Sequence, residues 1–253
     1  MALVAIRLSD GRRVESFSID PAEWNRMRSE PLGSYVMQET SSPAILKRSI
    51  RGLQFFANMP GAGTASAEPM SEHHMAIQAA LVTALRTAGM QAGVEVPGET
   101  LSGERWVADV MLVAGERKIA IEVQLAGQTL EEYERRSERY RQSGIAAVWL
   151  VRRSGFDTLA RAILTRAHRA DAGAVKALLE SPVPHRPVFS LPHLAVQPLD
   201  LGDPKAADAA GMRVRVFPPG QVLPDEIGLS DFALGIAAGA LAFLDNEWRW
   251  IRT

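Results

Sequence analysis

The sequence predicts an α/β fold, and three observations predict it. Residues 105–124, RWVADVMLVAGERKIAIEVQ, alternate with period two around Gly115-Glu116, as a β-hairpin does. Before them, Ser71 to Gly89 carries the broad apolar face of a helix. After them, Thr129 opens a second helical stretch, and Ala146 to Val151 is a short apolar run that reads as a strand. With a strand at Gln91–Val96, the order is helix, three-stranded meander, helix, strand. The helical crossover lets the last strand pair in parallel within a mixed sheet.

The hairpin fixes a register. A Gly-X pair suits a two-residue type II′ loop, with glycine supplying the positive φ. If Ala114 then pairs with Arg117, Asp109 falls opposite Glu122. Opposed side chains share a face with Cβ atoms about 5 Å apart. Gln124, two residues on, points the same way. Val110, Leu112, Ile119, Ile121 and Val123 form the other, core face. Two adjacent carboxylates repel unless a cation or a shared proton lies between them. A divalent metal with oxygen ligands satisfies them. Equally, the hairpin could face solvent with acids that only aid solubility, and a one-residue slip would separate the pair.

Helix by helix, Ser71 is placed to cap the first, and Gly89 stops it. Its His74 and Gln78 share a face at i, i+4 spacing, while His73 points to solvent. In the second helix Thr129 and Glu132 match a capping box. Tyr133, Arg136, Ser137 and Tyr140 line one face. Glu131, Glu134 and Glu138 with Arg135 and Arg139 read as i, i+4 surface pairs. Gly144 ends it.

The flanks are less distinct. Leu3 to Ile19 reads as a small hairpin around Asp10-Gly11, and Pro21–Met27 as a short helix. Ser34 to Pro60 reads as irregular, with short apolar runs at 35–37 and 53–56. Pro97 to Glu104 reads as a loop. The small, polar stretch from Gly61 to Pro69 reads as a linker. Beyond Arg153, helices are expected over 156–169 and 174–179, a strand over 212–217, and a helix over 230–244 capped by Ser230. Trp248 and Trp250 read as packing residues.

Composition narrows the function. With no cysteine among 253 residues, disulfides and thiolate zinc sites are excluded, which fits a reducing, cytoplasmic setting. A net charge of −1 gives no global attraction to nucleic acid, so any such contact comes from local patches. Arg7 and Asp10 interrupt what would be the apolar core of a secretory signal. The apolar stretch 232–244 is too short to span a bilayer. The chain has no glycine-rich phosphate loop, H-E-x-x-H or G-x-S-x-G motif.

Taken together, several residues resemble the PD-(D/E)xK nuclease superfamily, and within it the nuclease-like domain of the competence protein CoiA family. They are Ser71, His74 and the run to Leu81; Glu95; Arg105 and Asp109; residues 119–124, IAIEVQ; and Arg136, Tyr140, Gly144 and Trp149. Ala108 stands where the superfamily name has proline. Gln124 takes the lysine position, as is usual in this family. Gln78 stands where members often carry a helix lysine.

The resemblance implies a PD-(D/E)xK core over residues 70–153 and an α+β region over 154–253. It also implies a small β-rich N-terminal module over 1–62, derived from a zinc ribbon. Met37, Thr40 and Asn58 fall where that module's zinc ligands would stand, so no zinc is expected. What it implies about activity is a nuclease dependent on Mg²⁺ or Mn²⁺. Asp109, Glu122 and the Val123 carbonyl would hold the metal, with Glu95 as an additional ligand. Gln124 would orient water or phosphate, and His74, Gln78, Arg136 and Tyr140 would lie at the substrate. The implied partners are DNA, single-stranded or branched, and recombination proteins, with no membrane. The alternative is a nuclease fold with weakened chemistry that binds DNA or a recombination partner without cutting.

Overall fold

The computed structural model describes residues 1–61, 70–167, 173, 191–202, 209–221 and 223–251. The chain divides into two compact units, Met1–Ala79 and Ala80–Thr253. The linker read at 61–69 and the helix expected at 174–179 fall largely or wholly outside the described residues.

In the first unit, β1 (Val4–Arg7) pairs antiparallel with β2 (Arg13–Glu15), the expected small hairpin. Helix α1 is Pro21–Met27, with Asp20 accepting from the N–H groups of Ala22 and Glu23 and proline in the first turn. The stretch read as irregular contains three strands. β3 (Tyr35–Met37) joins β1, and β4 (Ala44–Arg48) pairs with β5 (Gln54–Asn58). These strands are three to five residues long, too short for a period to show. An apolar core centred on Trp24, Tyr35 and Phe56 holds the module, and Met37 is buried within it. Helix α2, Glu72–Thr87, begins in this unit and continues past Ala79. Ser71 Oγ accepts from the His74 N–H at 3.2 Å, as its capping position predicts. His73 is half-buried rather than solvated.

The second unit is a mixed α/β domain. Its sheet contains β6 (Gln91–Glu99), β7 (Arg105–Ala114), β8 (Arg117–Gln124), β9 (Ala146–Arg152), β10 (Ala195–Asp200), β11 (Arg213–Val216) and β12 (Asp225–Gly228). They lie side by side in reverse chain order, from β12 to β6. β8, β9 and β10 are parallel, and the pairs at either flank are antiparallel. The crossover from β8 to β9 contains helix α3, Leu130–Gln142. Helix α4, Arg153–Ala167, follows β9 directly, starting three residues before its expected Phe156. Val110, Leu112, Ile121, Val123, Val148 and Leu150 are buried on one side of the sheet. On the other side, Trp149, Val151 and Val196 pack with Tyr133 of α3 and Phe156, Leu159 and Ile163 of α4. Both faces are therefore covered, and the acidic face of the hairpin is not a solvated surface.

Two further boundaries differ from expectation. β6 runs through Pro97 to Glu99, where a loop was expected, because β7 continues to pair with it as far as Arg105. Gly98 makes the close approach possible: a Cβ there would lie 2.2 Å from the Trp106 ring. The helix expected over 230–244 is shorter. Helix α5 is Leu229–Ala238, and Gly239 ends it at φ +83°. Gly228 rather than Ser230 occupies the cap position. The remaining apolar run is β13 (Leu241–Leu244), which pairs with β14 (Glu247–Trp250). Asp245 and Asn246 form the turn at φ +50° and +63°, as the mirror-image turns of hairpins require. Trp250 stacks on Phe232, so it packs as expected.

Candidate paired-carboxylate site

The site follows from the hairpin register. Gly115 takes φ +63°, Ala114 pairs with Arg117, and the pairing continues to Val110 opposite Ile121. The next step places Asp109 opposite Glu122. There the two strands exchange side-chain bonds. The Asp109 N–H donates to Glu122 Oε1 at 3.2 Å, and the Val123 N–H donates to Asp109 Oδ2 at 2.8 Å. Each carboxylate is thus held by the main chain of the other's strand, which sets its direction without a flexible partner.

Helix α3 closes over Glu122, which is fully buried. Tyr133, Ser137 and Tyr140 are the buried residues of the face read from the sequence. The Tyr140 hydroxyl donates to Glu122 Oε1 at 2.6 Å, and the Arg136 guanidinium bonds Glu122 Oε2 through Nη2. Arg136 Nη1 also donates to Gln124 Oε1 at 3.3 Å and to Gln128 Oε1 at 3.2 Å. Its guanidinium lies 4.6 Å from the centre of the Trp149 ring, a cation–π distance. The Trp149 indole N–H donates to Ser137 Oγ at 2.9 Å, fixing the ring as a floor. Trp149 is also the β9 partner of Glu122, so ring and carboxylate share a face of the sheet.

Electrostatics follow from this burial. Loss of water, and next the Asp109 charge, push the Glu122 carboxyl up to about 7, while Arg136 and the Tyr140 hydroxyl pull it down. Burial, followed by the Glu122 charge, raises the Tyr140 hydroxyl far above its ordinary range, so it stays a donor. Arg136 pairs with Glu122 alone of the two carboxylates, so with both acids ionised the trio carries one negative charge in excess.

That balance predicts a trade-off. A folded-state pKa above the unfolded value means the protonated form stabilises the fold below about 4.5, and that contribution is lost as pH rises through about 7. Glu122→Gln mimics the neutral form and can keep its contacts with Tyr140 and the Asp109 N–H. Its melting temperature at pH 7.5 is expected to equal or exceed the parent's, by up to about 5 °C. A clearly lower melting temperature would show that the charged pair with Arg136 outweighs the desolvation.

The other expected site residues are placed as follows. Pairs Val94–Val110 and Val96–Ala108 bracket Glu95 opposite Asp109, in line with Glu122. Glu95 is buried, and its φ of +47° takes it out of the regular ladder. Among the described residues, no group of three or more His, Cys, Asp or Glu stands close enough to hold a metal. Any cation at Asp109 and Glu122 would therefore rely on main-chain and water oxygens as well. His74 and Gln78 lie in the first unit, where Gln78 Nε2 and His74 Nε2 meet at 3.2 Å. The Thr129 cap is observed, with Oγ1 accepting from the Glu132 N–H at 3.3 Å. The Glu132 side chain, however, pairs with Arg135 instead of reaching back. The surface pairs of α3 are Glu132–Arg135 and Glu138–Arg141 at i, i+3, with Glu134 bound to Arg166 of α4.

The sequence reading did not single out Gln128. Its position eight residues before Arg136 straddles the turn into α3, so no helical spacing links the two. Trp149 was noticed only for family resemblance, not as the floor beneath Arg136.

The fold and the site together define a mixed α/β domain with an opposed pair of carboxylates, Glu122 buried and Asp109 partly exposed. Residues 70–170 match the family model of the competence protein CoiA nuclease-like domain, under half of the 253-residue chain. That segment is similar to the CoiA nuclease-like domain, as the resemblance over residues 71–153 implied. Among solved structures, the crystal structure of the protein of unknown function AF1548 aligns at 12% identity with a TM-score of 0.25. The alignment covers 32% of this chain and 46% of that one. No curated protein matches the chain. No helix among the described residues is long and apolar enough to cross a membrane.

Proposed function

We propose that residues 70–153 form a PD-(D/E)xK-type core that hydrolyses DNA phosphodiesters with Mg²⁺ or Mn²⁺. The observation that carries this reading is the opposed pair Asp109 and Glu122, each anchored on the other's strand, inside the nuclease-like segment. The donor set fits a hard divalent cation in kind: two carboxylates and the main-chain carbonyl of Val123, all oxygen. It also fits in charge: with both carboxylates ionised the trio carries one negative charge in excess, which a bound cation offsets. Glu122 Oε1 already accepts from Tyr140 and Asp109, whereas Oε2, among the described residues, accepts only from Arg136 and keeps a lone pair.

Asp109, Glu122 and the Val123 carbonyl would hold the metal, with Glu95 joining through water. A cation held there supplies an activated water and offsets charge developing on the phosphate. Tyr140 and the Asp109 N–H keep the Glu122 carboxylate pointed at the site. Gln124 shapes the same face but, as an amide, brings no charge. The net charge of −1 means that DNA must be gathered by local arginines; single-stranded or branched DNA is the substrate the family resemblance implies.

A second reading is favoured by one observation. Arg136 and Tyr140 already compensate Glu122 within the protein, so the same pocket could hold DNA without cutting it. Cleavage and gel-shift measurements on single-stranded, duplex and branched DNA, with Mg²⁺, Mn²⁺ or chelator, separate the two. Turnover that needs the metal supports the nuclease. Binding with no turnover under any of these conditions supports the binding module.

A further inference from the structure

We propose that Arg136 is the phosphate-contacting cation of this site, and that Gln124 and Gln128 are positioning residues that act through it. The inference rests on the nuclease-like reading of the pocket, which it deepens by naming the group that meets the phosphate.

Gln124 shares the acidic face and is neutral, so it cannot balance a phosphate's charge. Arg136 is a cation bonded directly to it, and the geometry ties the two together. Gln124 Nε2 donates to the Ala126 carbonyl at 3.1 Å, which turns Oε1 toward the guanidinium. Gln128 also turns its Oε1 to the guanidinium, from the segment before α3, although its own Nε2 is buried with no partner among the described residues. An amide that leaves a buried N–H₂ unsatisfied while aiming its oxygen at a cation is oriented by that cation. Trp149 supports the guanidinium from below.

Of the five N–H bonds of Arg136, three are engaged: two on Nη1 and one on Nη2. Among the described residues, the second Nη2 hydrogen and Nε–H have no acceptor. Nε and Nη2 share one edge of the planar fork, an edge that suits an oxyanion. The side chain is 24% exposed, against 0% for Glu122. An incoming phosphate thus meets Arg136 before it meets the buried carboxylate. A lysine could present a charge here but could not bond the carboxylate, both amides and a phosphate at once.

The test is a double-mutant cycle on the full chain, using Arg136→Gln, Gln124→Ala, Gln128→Ala and the combinations of each alanine change with Arg136→Gln. Two quantities are read: cleavage of a defined oligonucleotide in Mn²⁺, and the salt dependence of its affinity in chelator. Arg136→Gln is expected to slow cleavage on the order of 10²-fold. It should also reduce the slope of log affinity against log salt by about one phosphate contact. Each glutamine change alone should do less, and neither should add to the loss once Arg136 is gone. Arg136→Lys should recover the salt slope but only part of the rate. Effects of Gln124→Ala and Arg136→Gln that simply multiply would overturn the proposal, since Gln124 would then act independently. An unaltered salt slope in Arg136→Gln would also overturn it. If the parent does not cleave, the nuclease reading fails while the salt-slope arm still decides the role of Arg136.

Discussion

Asp109→Ala and Glu122→Ala are each expected to reduce metal-dependent hydrolysis by about 10³-fold or more, a loss of several kcal/mol of transition-state stabilisation. The two carboxylates are the charged oxygen donors of the proposed centre, and one carboxylate does not hold a hard cation tightly in water. The two variants should differ in stability. Asp109 is partly exposed and bonds the Val123 N–H, so its loss removes one main-chain contact. Glu122 is buried beneath Tyr140 and Arg136, so truncation leaves a cavity and a cation without its carboxylate. DNA affinity in chelator should hold or rise in both, because each change removes negative charge near a phosphate. Cleavage that persists at the parental rate in the double mutant would place the activity elsewhere.

Trp149→Ala is expected to cost about 3–5 kcal/mol of stability, the range for removing a fully buried aromatic side chain. For a chain of this size that corresponds to a fall in melting temperature of roughly 6–20 °C. Three contacts are lost with the ring: the indole bond to Ser137, the edge-on packing against Tyr133 at 4.9 Å, and the floor under Arg136. The third links stability to function, since the guanidinium would lose its fixed height above the sheet. Cleavage by this variant, measured well below its melting temperature, should therefore fall as it does in Arg136→Gln. A melting temperature within about 2 °C of the parent would show that α3 does not depend on the ring.

The core of the site was legible because a hairpin register propagates. Once Gly115 defines the turn, the positions of Asp109 and Glu122 follow by counting, and the side-chain bonds between the strands confirm the count. The faces of α3 were legible for a similar reason: a period of 3.6 assigns Tyr133, Ser137 and Tyr140 to one side whatever they pack against. The cradle around Arg136 was not legible. It joins the end of β8, the turn at Gln128, helix α3 and β9, and their relative placement is decided by packing between elements. Burial of the acidic face was missed on the same ground, since the alternation in β7 and β8 does not reveal that α3 lies across it. The C-terminal hairpin was misread because LAFL continues the apolar run of α5, and only the left-handed Gly239 separates them.

Mn²⁺ binding at the acid pair tests the central proposal most directly, through a crystal soaked in Mn²⁺ and measured at an energy where manganese scatters anomalously. The account predicts an anomalous peak bounded by the carboxylates of Asp109 and Glu122 and the carbonyl of Val123, and its loss in Glu122→Gln. Full cleavage activity in Mn²⁺ with no peak at that position, or with the metal bound at another site, would contradict it.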